Sequence, residues 1–283
     1  MNLPWPERSP RRRSLVAVSL AVTALAVALP RCGDGARAET AGEVLARLRQ
    51  LENGPRKWTD RTQRVRLRIR DAAGKERVRE LESFAKREGG GEEKALIVFR
   101  APPELQGMGF LQWAHRDRED EQWLYLSALK RVRPISAAAK NESFAGTDFS
   151  YRELEVLNEL THWSQDEAAA SVGADETIGK TQARVLTLRP RDAATMGYAH
   201  LRAWLRRDDL VLLRVEFVGP GGLLKQLDLE DIRDIGGIPT PCRLEMRTLA
   251  TGGHTVIEAL ETAYDRGLAD ALFTQQTLER GGP

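Results

Sequence analysis

Between residues 64 and 70 arginine alternates with an aliphatic side chain: Arg64, Val65, Arg66, Leu67, Arg68, Ile69, Arg70. A period of two sends successive side chains to opposite faces of a strand, so this segment reads as a strand with one wet face and one dry one. A strand of that kind must find partners, and the turn Asp71-Ala72-Ala73-Gly74 leads into a second run, Glu76 to Lys86, to make a hairpin. Ten more strand-like runs follow: Lys94 to Arg100, Gly109 to His115, Glu121 to Leu126, Glu159 to Asp166, Thr181 to Arg189, Tyr198 to Arg206, Leu210 to Val218, Leu223 to Ile235, Cys242 to Leu249 and His254 to Ala263. Turn signals such as Gly219-Pro220-Gly221-Gly222 and Thr251-Gly252-Gly253 separate most of them. About twelve strands joined by short turns predict one antiparallel meander. Only three segments have a helical pattern: Ala41 to Leu51, Tyr151 to Leu157 behind the capping box Ser150/Glu153, and Leu268 to Leu278. The expected fold is mainly β (α+β), a large curved sheet with a few helices on one side.

The first 38 residues have a different character. Arg11, Arg12 and Arg13 precede a weakly polar to apolar run from Ser14 to Leu29, and Ala36-Arg37-Ala38 places small residues where a signal peptidase reads. Residues 1–38 are therefore expected to be a signal peptide cleaved after Ala38, and residues 39–283 a single exported domain. The apolar run is shorter than the ~20 residues that span a bilayer. Arg31 occupies the position before Cys32 where a lipoprotein cleavage site carries a small residue. With Cys32 removed, Cys242 is the one cysteine left and no internal disulfide can form. The arginines before Ser14 are compatible with either general or twin-arginine export.

Charge excludes one class of partner. Of 43 basic and 41 acidic side chains, six and two lie in residues 1–38, leaving 37 and 39 in the body. That body lacks the basic excess that phosphate backbones require, so no nucleic-acid partner is expected. The histidines at 115, 162, 200 and 254 are isolated from one another and from a second type of metal ligand, so neither a metal nor a cofactor is expected. No serine stands in a Gly-x-Ser-x-Gly elbow, and Cys242 has no adjacent base, so no nucleophile can be paired with a base and the chain is not expected to be an enzyme.

The densest cluster of unusual residues is Gln122-Trp123-Leu124-Tyr125-Leu126, the basic turn Lys130-Arg131-Val132-Arg133, and then Ser143-Phe144-Ala145-Gly146-Thr147-Asp148-Phe149-Ser150-Tyr151. Taken singly, these residues read equally well as core aromatics, a solvated turn and a helix cap. Taken together they resemble the outer membrane lipoprotein-sorting protein family, the LolA-like group of exported proteins. Its members carry Trp-Leu-Tyr-Leu-Pro, a Lys/Arg-rich turn and Ser-Phe-Met-Gly-Ser-Asp-Phe-Ser-Tyr. Phe99-Arg100-Ala101-Pro102-Pro103 with the later Gly107 is similar to the family's upstream strand. Ser127, Pro134 and Ala145 depart from the family pattern.

The resemblance implies a LolA/LolB-like half-open antiparallel β-barrel, with helices on the concave side, that holds an acyl chain. The expected lining is Trp123, Tyr125, Phe99, Phe110 and Trp113. Lys130, Arg131 and Arg133 are expected at an anionic head group, and Gly146, Asp148 and Ser150 as a structural motif, Asp148 tying the turn before the Tyr151 helix through backbone N–H groups. The partners implied are a lipid or lipoprotein acyl chain and an inner-membrane transporter of the RND type, with transient membrane association at most, in the periplasm. Two functions stay open: a carrier that moves its cargo toward the outer membrane, and a sensor or accessory subunit that docks a protein through the same barrel.

Overall fold

Fourteen segments of the described residues form one antiparallel sheet, and its strand order is nearly the order of the chain. The computed structural model describes residues 39–88, 92–115, 118–159, 168–190 and 193–283; the expected signal peptide lies outside them. Strands β1 (Asp60–Arg70), β2 (Glu76–Arg87), β3 (Glu93–Ala101), β4 (Gly109–Ala114), β5 (Glu121–Leu126) and β6 (Arg131–Pro134) run as a meander from the middle of the sheet to one edge. Strands β7 (Ala168–Val172), β8 (Glu176–Ile178), β9 (Thr181–Pro190), β10 (His200–Arg206) and β11 (Leu212–Gly219) fill the other half with β12 (Gly222–Ile235), β13 (Ile238–Thr248) and β14 (Gly253–Tyr264). β14 returns to pair with β1, and edges remain at β6 and β7, so the sheet is open and not a closed barrel.

The sheet curls. Phe110 on β4 and Leu188 on β9 line one cavity although eight strands lie between them, a span of about 43 Å were the sheet flat. Helices α1 (Ala41–Asn53) and α2 (Tyr151–Glu159) close the concave side. α1 is fixed at its start by a capping box in which Thr40 and Glu43 satisfy each other's backbone N–H groups, and it buries Val44, Leu45 and Leu48 against the second half of the sheet. The Ser150/Glu153 box also forms: the Glu153 N–H donates to Ser150 Oγ at 3.1 Å, and the Ser150 N–H donates to Glu153 Oε2 at 2.7 Å.

Three expectations are corrected. Glu159 closes α2 rather than opening a strand, and residues 160–167 lie outside the described residues. Arg131–Pro134 and Glu176–Ile178 are strands too short for periodicity to reveal. The C-terminal segment is not one helix on the concave side. It is a 3-10 turn, Asp270–Phe273, and a short helix α3 (Gln275–Glu279), and it covers the convex face of β3, β4 and β5. The cause lies far away in sequence: the buried carboxylate of Asp60 accepts from the N–H groups of Arg266, Gly267 and Leu268 at 2.8, 2.9 and 3.1 Å, which fixes the approach of the segment in a non-helical path. A Cβ on Gly109 would lie 2.6 Å from Leu278 Cδ1 and 3.2 Å from the Ile97 carbonyl oxygen, so the close seating of α3 favours glycine there.

Candidate functional site

Alternation decides which side chains face the concavity. On β1 the inward set is Arg61, Gln63, Val65 and Leu67; on β3 it is Glu93, Ala95 and Ile97; on β4, Phe110 and Gln112. These, with Leu45 and Leu48 of α1, Leu154 and Leu157 of α2 and the inward residues of β9 to β14, enclose a cavity of about 410 Å³. That volume lies within the range of about 300–1,000 Å³ for small-molecule sites. The lining is predominantly aliphatic and aromatic; its charged members are Glu52, Arg56, Arg61, Arg87 and Glu93, gathered near Trp58.

The segment from Ser143 to Ser150 supplies one wall. Ser143 and Ser150 pair as an isolated bridge, the Phe144 N–H donates to the Phe149 carbonyl at 2.7 Å, and Thr147 Oγ1 donates to the Phe144 carbonyl at 2.7 Å. Within this closed loop Ala145 and Gly146 adopt φ of +50° and +69°, a conformation that suits glycine at Gly146. The loop delivers Phe144, Thr147 and Phe149 to the cavity. Phe144 packs on Phe110 at 5.4 Å and on Tyr151 at 5.6 Å between ring centres.

Asp148 anchors the loop to the opposite half of the sheet. Its carboxylate accepts from Thr248 Oγ1 at 2.8 Å and Thr255 Oγ1 at 2.7 Å, on the hairpin between β13 and β14. The expected bonds from backbone N–H groups are replaced by these hydroxyls, because the hairpin comes so close that a Cβ on Gly253 would collide with the Asp148 carboxylate. Behind it the buried Glu153 accepts from Lys225 Nζ at 3.0 Å and from the Tyr198 hydroxyl. Burial and the Glu153 charge push the Tyr198 hydroxyl pKa well above its ordinary value. A second buried set joins α2 to the 3-10 turn Ala137–Asn141: Glu155 meets Lys140 at 2.6 Å and Arg152, its neighbour on α2, at 2.9 Å, and burial raises the Glu155 pKa against the pull of Lys140.

Of the five residues expected to line the cavity, Phe110 does so, and Phe99 lies on the same side, in the cluster with Phe110 and Phe144. Trp113, Trp123 and Tyr125 are corrected: strand register puts them on the convex face, with Leu111 opposite Trp123 and Gly109 opposite Tyr125. There Trp113 and Trp123 pack edge to face at 5.0 Å, and Trp113 Nε1 donates to the Phe273 carbonyl at 2.9 Å. Lys130, Arg131 and Arg133 are exposed at the β6 edge and do not line the cavity; four strands separate β6 from β1, about 24 Å of flat sheet. The sequence pattern did not single out the charged residues that do reach the cavity, among them Arg61 and Arg87 beside Trp58, although Arg61 has the same parity as Val65. Among the described residues no cluster of His, Cys, Asp and Glu could hold a metal ion, and no helix is long and apolar enough to cross a membrane.

A curled antiparallel sheet, open at both edges, with helices over an apolar cavity on its concave side, defines the LolA-like class of folds. A LolA superfamily protein from Nitrosomonas europaea is similar in fold at TM-score 0.59, with 18% identity over 84% of this chain and 98% of that one. A domain described as that of an outer membrane lipoprotein-sorting protein from Vibrio parahaemolyticus is similar at TM-score 0.75, with 26% identity over 83% of this chain and 97% of the other. A DUF1329 family protein from Desulfovibrio piger is similar at TM-score 0.77, with 27% identity over 84% and 97%. No curated protein matches. The family model, described as an uncharacterized protein, matches residues 91–280, more than half of the chain, and the chain belongs to this LolA-like lipoprotein-sorting family.

Proposed function

We propose that the protein is a non-catalytic carrier that binds the acyl chain of a lipid or lipoprotein in the cavity beneath its sheet and hands it on toward the outer membrane. The observation that carries this reading is the cavity of about 410 Å³ walled by aliphatic and aromatic side chains from both halves of the sheet and from α1 and α2. Burial of an alkyl chain there is favourable by about 0.8 kcal/mol per CH2 group, so a chain of ordinary length compensates for leaving a membrane. The similarity to a lipoprotein-sorting domain supports the same use. Export by the leader, cleavage after Ala38, residence in the periplasm and collection of cargo from an RND-type inner-membrane transporter complete the proposal.

Transfer from loaded protein to acceptor vesicles tests it. Protein carrying a fluorescent phospholipid should release it to the vesicles over time, and Ala259→Trp, which fills the cavity, should fail to load the lipid in the first place. A protein that binds the lipid but never gives it up would instead be a sensor or accessory subunit.

A further inference from the structure

We infer that the cavity selects an alkyl chain with an anionic oxygen-bearing head, a carboxylate or a phosphate, and that Arg61 is the residue that receives the head. This rests on the reading of the cavity as an acyl-chain site and adds the chemistry of the other end of the ligand.

The arginines of β1 divide by face. Arg64, Arg66, Arg68 and Arg70 point to the convex side, and each meets a glutamate, Glu261, Glu80, Glu258 and Glu76, at 2.5, 2.9, 3.1 and 3.5 Å. Arg61 points the other way, into the cavity wall, and makes no ion pair among the described residues. Its Nε is buried with no hydrogen-bond partner. A buried donor left unmatched is destabilising, so this nitrogen is suited to an acceptor that a ligand brings.

The neighbouring carboxylates are occupied. Glu52 and Glu93 both line the cavity, and both are engaged by Arg87, at 3.4 and 3.2 Å. Arg56 donates to the Asp209 carbonyl at 2.5 Å and lies 3.7 Å from its carboxylate. One cation at this end is thus in excess. Trp58 holds it in place: the Arg87 guanidinium lies 4.0 Å from the ring centre and that of Arg61 5.3 Å. A planar guanidinium braced on an indole, with free N–H groups, suits carboxylate and phosphate oxygens. Beyond it the lining turns apolar through Val65, Leu67 and Ile97 to Phe110. Head site and tail site are continuous, and the volume suits a single chain.

Displacement of Nile red, a neutral apolar dye, by palmitate, palmitoyl lysophosphatidate and methyl palmitate tests this in the full mature domain. Either anionic amphiphile should displace the dye at about tenfold lower concentration than the ester, and Arg61→Gln should erase the difference. Which of the two anions gains more identifies the head. Equal displacement by all three in the unsubstituted protein overturns the inference and leaves the acyl-chain reading standing; because this comparison needs no variant, misfolding of Arg61→Gln does not rescue it. An anionic preference that persists in folded Arg61→Gln also overturns the role of Arg61. Failure of all three to displace the dye sinks the acyl-chain reading itself.

Discussion

Replacing Trp123 by alanine separates the two faces of the sheet. The side chain is 9% exposed and packs with Leu96, Val98, Leu111, Phe273 and Leu278 on the convex face, with Trp113 edge-on at 5.0 Å. Truncation of a buried Trp costs about 3–5 kcal/mol, transfer and cavity terms together. For a domain of this size each kcal/mol lowers Tm by about 2–4 °C, so Trp123→Ala should melt about 6–20 °C lower. Affinity for an alkyl ligand should not change at temperatures where the variant is folded, because the tryptophan faces away from the cavity. Thermal melting by circular dichroism and Nile red titration at 15 °C measure the two quantities on one sample. A variant with unchanged Tm and lost dye binding would place Trp123 at the ligand and refute the assignment of faces.

Three further outcomes follow from the anchors of the site. Asp148→Ala strands the hydroxyls of Thr248 and Thr255 and should cost about 1–3 kcal/mol in denaturant unfolding, whereas Asp148→Asn, which still accepts through its amide oxygen, should cost less. Ser150→Ala removes the α2 cap and should cost about 1 kcal/mol by the same assay. The Thr59 N–H and hydroxyl hold the Asp265 carboxyl below its ordinary pKa, so its contribution to stability is present above the ordinary carboxylate range and is lost as pH falls through the depressed value; Asp265→Asn should flatten that part of a stability-against-pH curve, and an unaltered acid limb would refute the linkage.

The sheet was legible because most of its strands are long enough to show a period of two, and because turns rich in Gly, Asp and Pro separate them. The capping box at Ser150/Glu153 was legible for a similar reason: a local hydrogen-bond pattern leaves a local signature. What a strand faces is another matter. Trp123 and Tyr125 share a face, and so do Leu124 and Leu126, but nothing local says which of these faces turns inward. That choice is made by Phe273 and Leu278, some 150 positions away, which cover the convex side. Asp148 shows the same limit, since its partners Thr248 and Thr255 lie 100 and 107 residues along the chain. Arg61 was within reach: continuing the inward parity of Val65 back through Gln63 arrives at it, whereas the arginines at 64 to 70 drew attention to the other face.

The central claim is that an alkyl chain occupies the space under the sheet. Mass spectrometry of organic extracts from protein purified without detergent from a Gram-negative envelope tests it most directly, with Ala259→Trp as the comparison because Ala259 lines the cavity on β14. The unsubstituted protein should carry close to one equivalent of an alkyl-chain lipid, and the equally folded variant should carry almost none. No lipid on the unsubstituted protein, or the same load on both, would contradict the account.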